Sequence, residues 1–140
     1  MKTMGICLGS SSIGQVIIQS QHLKTQEIIY KDLRTHNGNV ITVLGEMLQA
    51  ASTHTIDRIA VTGRKFRNLV NLSGISEAEA IEIAYNYVQN RYPACNTIVS
   101  AGGEAFIAYK LDGANRVANV ITGNKCASGT GEFFLQQLKR

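Results

Sequence analysis

Three short segments of this chain combine residue types that can hold charge or a metal. The first, Gly9-Ser10-Ser11-Ser12, lies between the apolar runs Met4 to Leu8 and Gly14 to Ile18. Small residues at such a turn let backbone N–H groups and hydroxyls converge on an oxyanion. The second, Ala101-Gly102-Gly103-Glu104, follows Thr97-Ile98-Val99-Ser100 and adds an acid to similar chemistry. The third, Asn124-Lys125-Cys126-Ala127-Ser128-Gly129-Thr130-Gly131, places a thiol beside a cation and just ahead of a predicted helix. Both neighbours favour the thiolate, which is the form that ligates metal. Glycine N–H groups there can also donate to the sulfides of a cluster. Each segment has a plainer reading. A glycine–serine turn closes a hairpin without any ligand, and a cysteine at a helix start can be an ordinary small residue.

Nearby patterns narrow the chemistry. Gly9 to Val16 approaches the phosphate loop G-x-x-x-x-G-K-[ST], but Gln15 stands at the lysine position and Val16 at the hydroxyl position. A strand follows it instead of a helix, so that loop is excluded. Three cysteines, Cys7, Cys95 and Cys126, lack paired spacing and argue against a disulfide framework. His22, His36 and His54 stand apart in polar surroundings and are expected at the surface. The basic cluster Arg64, Lys65 and Arg67 reads as a solvated turn. The other positive charges are scattered, so the net +4 gives no nucleic-acid stripe and suits a phosphorylated ligand. With 44% hydrophobic and 17% charged residues the chain can bury a core, and no apolar run is long enough to span a bilayer. No secretory leader is read at Met1 to Gly5, and the expected location is the cytoplasm.

The elements that must position these segments form a repeat. Strands are predicted at Met4 to Leu8, Gly14 to Ile18 and Gln26 to Leu33, the first two joined as a hairpin. Val40, Val43, Leu44, Met47 and Leu48 recur at helical spacing, and Ile56 to Val61 reads as a buried strand. Ser76 and Glu79 form a capping box that opens a second helix, with Ala80, Ile83, Ala84, Tyr87 and Val88 as its apolar face. After Pro93 the opening pattern returns: strands Thr97 to Ser100, Ala105 to Leu111 and Arg116 to Ile121, then a helix from Ser128 to Lys139. Domains are therefore expected at 1–93 and, incomplete, at 94–140. The glycine turns fall at equivalent points of the two copies, where facing hairpins can clasp the phosphates of one nucleotide.

This arrangement resembles the actin-like ATPase superfamily, whose members include Hsp70 chaperones and sugar kinases. Within it the chain is similar to the activators of 2-hydroxyacyl-CoA dehydratases and benzoyl-CoA reductases. Gly5-Ile6-Cys7-Leu8-Gly9-Ser10-Ser11 looks like the family's G-I-D-x-G-S-T, and Ala60-Val61-Thr62-Gly63-Arg64 like A-T-G-Y-G-R. Ser100 to Ala105 sits at the place of D-I-G-G-Q-D, and Asn124 to Gly131 is close to N-D-K-C-A-A-G-T-G, the most specific of the four. The resemblance implies an α/β, ribonuclease H-like fold of the actin/Hsp70 type, with a mixed βββαβα sheet followed by the first βββα of a second domain. It also implies ATP and magnesium held by Gly9, Ser10, Ser11, Ser12, Gly102 and Gly103. It makes Cys126 a ligand of a 4Fe–4S cluster shared by a homodimer, and an acyl-CoA dehydratase or reductase component the partner.

The departures fall on the acids. Cys7, Ser100 and Ala105 stand where the family has Asp, and Glu104 replaces its Gln. A thiol is a poor magnesium ligand, so Cys7 is expected to be a buried strand residue and Glu104 the one acid able to orient a metal-bound water. A second cluster cysteine and the adenine-binding part have no match, which suggests an N-terminal fragment of a longer activator. The alternative is a non-catalytic nucleotide-sensing or docking module of such a protein.

Overall fold

The computed structural model describes residues 1–22, 25–64, 67–102, 106–123 and 138. They belong to two compact units, Met1–Ile75 and Ser76–Arg140.

In the first unit, β1 (Lys2–Leu8) pairs antiparallel with β2 (Ser12–His22), and β2 with β3 (Thr25–Thr35). After α1 (Val40–Ala50), β4 (Arg58–Thr62) returns parallel to β1 and completes a mixed sheet ordered β3-β2-β1-β4. The period of two fixes which face is buried. Met4, Ile6 and Leu8 of β1 share a core with Ile13 and Ile17 of β2, Val61 of β4, Val40, Leu44 and Met47 of α1, and Ala51. Leu8, Ile13, Ile17 and Met47 are wholly buried. Each such side chain contributes about 1.5–3 kcal/mol of burial, which is what holds the helix on the sheet.

The same alternation corrects one expectation. Cys7 lies one step out of phase with Ile6 and Leu8 and is exposed, not buried. Its ladder partners are Gly14 and Thr62. Gly14 has no side chain to cover the thiol.

In the second unit, α2 (Glu77–Val88) precedes β5 (Thr97–Ala101), β6 (Phe106–Leu111) and β7 (Val117–Thr122), an antiparallel meander ordered β5-β6-β7. The Ser76 hydroxyl accepts the Glu79 N–H at 3.1 Å and caps α2 as predicted. The inward face of α2 differs from the expected one. Tyr85 is buried while Ile83 is exposed, because polar residues on the Tyr85 side find partners in the β6–β7 hairpin. Glu82 accepts the Val117 N–H at 2.5 Å, and Gln89 accepts from the Asn115 amide at 2.7 Å. The Tyr85 hydroxyl also accepts the Cys95 N–H at 3.2 Å, tying down the segment around Pro93.

The three-strand meander is therefore present in both units, β1-β2-β3 and β5-β6-β7, each with a glycine, Gly9 or Gly102, directly after its first strand. The predicted helix at 128–139 lies outside the described residues, apart from Leu138.

Candidate functional site

The Gly9–Ser12 turn starts where β1 and β2 leave their ladder at Leu8 and Ile13. The Gly9 N–H donates to the Ser12 carbonyl at 3.0 Å. A Cβ on residue 9 would lie 2.8 Å from that same oxygen, so this closure requires glycine. From the other side β4 ends on Gly63, which is buried with φ at +127°. A Cβ there would meet the Leu8 carbonyl oxygen at 2.3 Å. The backbone of β4 thus rests against the residue that leads into the turn, and the A-V-T-G sequence at 60–63 is what permits it.

The turn is tied down by His36, which the sequence placed at the surface. It is only 3% exposed. Its backbone N–H donates to the Ser11 carbonyl at 3.1 Å, and its Nε2 lies 3.2 Å from the Gly9 carbonyl. Nδ1 accepts the Gly38 N–H at 3.1 Å. An acceptor at Nδ1 fixes the ring proton on Nε2, so Nε2–H donates to Gly9. Asn37 and Gly38, at φ 45° and 88°, turn the chain back so that the Gly38 N–H reaches the ring. The polar neighbours that suggested a surface position supply this turn. A histidine followed by Asn-Gly directly after a strand was the available signal.

The carbonyls of Gly9, Ser11 and Ser12 all accept bonds from within the unit. Among the described residues, the N–H groups of Ser10 and Ser11 donate to no acceptor. A turn with three carbonyls engaged and two successive N–H groups left over suits an anion. Its described residues offer hydroxyls and the nearby Cys7 thiol but no carboxylate, so they fit phosphate oxygens better than a hard cation. Among the described residues no group of His, Cys, Asp or Glu could hold a metal.

In the second unit Gly102 is exposed at the end of β5, entering the β5–β6 hairpin. Ser100 pairs with Ile107. Gly103, Glu104 and Cys126 lie outside the described residues. The structure therefore brings together Gly9, Ser10, Ser11 and Ser12, adds His36 and Gly63 to them, and places Gly102 at the matching point of the second meander.

No family model matches the sequence. A 2-hydroxyisocaproyl-CoA dehydratase activator of Clostridioides difficile is 30% identical over 140 residues, covering 95% of this chain and 50% of that protein. The solved structure of the Clostridium difficile activator of 2-hydroxyisocaproyl-CoA dehydratase, with bound ADPNP, superposes with a TM-score of 0.74 at 27% identity, covering 95% of this chain and 49% of the other. Component A of the Acidaminococcus fermentans (R)-2-hydroxyglutaryl-CoA dehydratase superposes with a TM-score of 0.70 at 20% identity, covering 95% and 51%. The mixed sheet, the repeated meander and the glycine turn are those of the actin-like ATPase fold. Within that fold the chain is similar to activators of CoA dehydratases. It spans about half the length of the relatives it matches.

Proposed function

We propose that this chain is the nucleotide-binding part of an ATP-dependent activator of an acyl-CoA dehydratase or reductase, working in the cytoplasm. In this reading ATP binding and hydrolysis drive electron transfer from a 4Fe–4S cluster to the partner component. The observation that carries it is the Gly9–Ser12 turn, where the Ser10 and Ser11 N–H groups find no acceptor among the described residues while the Gly9, Ser11 and Ser12 carbonyls are engaged. The relative that superposes over 95% of this chain was solved with a bound ATP analogue. Ser10, Ser11 and Ser12 would take phosphate oxygens together with Gly102 and Gly103 of the second domain. The domains are taken as 1–93 and 94–140, and Glu104 would orient the attacking water. Cys126 would ligate a cluster shared across a homodimer, with its lysine neighbour and glycine-rich surroundings favouring thiolate.

Two measurements test this reading. Calorimetry with ATP and magnesium should show saturable binding. Anaerobic iron–sulfur reconstitution should give cluster absorbance that Cys126→Ala abolishes. Cluster absorbance equal in wild type and Cys126→Ala would refute the electron-transfer role.

A second reading is a nucleotide-sensing or docking module without turnover. Cys7 favours it, because an exposed thiol replaces the acid of the first phosphate motif. Binding of MgATP without phosphate release would select this reading.

A further inference from the structure

The phosphate turn is held in shape by a residue outside its own motif. In a trans peptide the C=O of one residue and the N–H of the next point in opposite directions. The Gly9 carbonyl and the Ser10 N–H share one such plane. His36 Nε2–H holds that carbonyl inward at 3.2 Å, and this turns the Ser10 N–H outward. The ring itself cannot swing away, because it is buried and its Nδ1 is engaged by Gly38 at 3.1 Å. The bond from the His36 backbone to Ser11 is independent of the side chain. The imidazole therefore controls one peptide plane of the turn and leaves the rest to the backbone.

We infer that His36 is a positioning residue for the nucleotide site: through the Gly9 carbonyl it aims the Ser10 N–H at a phosphate oxygen. This rests on the nucleotide reading above and extends it to a residue beyond the motif. A histidine that merely filled space would need only its volume. This one uses both ring nitrogens, each in a defined role, and connects the β1–β2 turn to the loop that opens α1.

The two nitrogens can be separated by substitution. His36→Asn keeps an acceptor near the Nδ1 position for Gly38 but ends short of Gly9. His36→Gln carries an amide N–H to the Nε2 position. The experiment uses the full 140-residue chain, with MgATP affinity read by calorimetry, the Ser10 amide followed by nitrogen–proton NMR, and urea midpoints as the stability control. His36→Asn should weaken MgATP about tenfold and move the Ser10 amide resonance, the effect of releasing one ordering hydrogen bond. His36→Gln should stay within about threefold of wild type, with the Ser10 resonance in place. The midpoints of the two variants should agree. Wild-type affinity in His36→Asn, or equal weakening in both variants, would overturn the positioning role while leaving the nucleotide site intact. A wild-type chain that takes no MgATP would overturn the nucleotide reading and this role together.

Discussion

Replacing Gly63 by alanine should destabilise the first unit more than its single added methyl suggests. The new Cβ would sit 2.3 Å from the Leu8 carbonyl oxygen and 2.9 Å from the Leu8 carbonyl carbon, whereas ordinary contact begins at 3.4 Å. Both atoms are backbone, so no side-chain rotation relieves the overlap. Residue 63 is also held at φ +127°, which costs an L-residue about 1–3 kcal/mol. Relief requires the ends of β1 and β4 to part next to Cys7 and Thr62, their last ladder pair. Opening that end gives up about 1 kcal/mol of hydrogen bonding and loosens Leu8, which is wholly buried. The first two terms sum to about 2–4 kcal/mol, to which the loosening of Leu8 adds, against a total stability of about 5–15 kcal/mol for a domain.

Equilibrium urea unfolding measures this directly, with the midpoint shift multiplied by the m-value. Gly45→Ala is the matched control. Gly45 lies inside α1, is exposed, and has nothing within 4 Å of the added Cβ. That substitution should stabilise by about 0.5–1 kcal/mol through helix propensity. A loss below about 1 kcal/mol for Gly63→Ala would refute the close approach of β4 to Leu8. Because Leu8 leads into Gly9, the same variant should also lose MgATP binding.

Two further outcomes follow from buried and charged groups. Gln15 is 4% exposed; its amide donates only to the Met4 sulfur at 3.1 Å, and its Oε1 has no partner among the described residues. Gln15→Met should therefore raise stability by about 1–2 kcal/mol in the same urea assay, since it removes an unsatisfied buried oxygen at similar volume. The backbone N–H of Arg116 is the main cause holding the Asp112 carboxylate below its ordinary value of 3.8; desolvation, the next largest cause, opposes it, and the Ala114 N–H and the Arg116 charge and side chain add to the lowering. A depressed folded-state pKa means stability that is present above 3.8 and lost as pH falls through the folded value. The thermal midpoint of Asp112→Asn should thus lie below wild type at neutral pH, and the gap should close as pH falls below 3.8; a gap independent of pH would refute the assignment.

What was legible in the sequence was what periodicity and turn chemistry fix locally. The strand at Met4 to Leu8, the Val40–Met47 stripe, the Ser76 cap and the Gly9–Ser12 turn depend on neighbours a few residues apart. The repeat could be read because each meander is three consecutive antiparallel strands with a glycine directly after the first. His36 could not be read that way. Its burial depends on a turn 27 residues earlier in the chain, a separation no local pattern spans. Cys7 is expected to be buried on metal-ligand chemistry alone, because a thiol is a poor magnesium ligand, although its place between Ile6 and Leu8 already puts it on the opposite face. The inward side of α2 was missed because Glu82 and Gln89 count as polar in a pattern and as bonded in the fold.

The glycines and the acids of this site answer to different constraints. Gly9 and Gly63 are required by backbone clearances of 2.8 and 2.3 Å, so the fold itself demands them. Nothing in the core demands an acid at position 7, since the side chain there is exposed and beside a glycine. The turn can therefore keep its backbone geometry whichever side chain stands at position 7. Cys7→Asp puts that to the test. Because the site is exposed, the urea midpoint should move by no more than about 0.5 kcal/mol equivalent. A carboxylate next to the turn adds the oxygen ligand that a hard cation prefers. ATP affinity measured with magnesium should then rise relative to affinity in chelator, by about three- to tenfold over the ratio in wild type. An unfolded variant would show that the fold does constrain position 7. A folded variant with an unchanged magnesium ratio would show that this face of β1 does not look onto the phosphates.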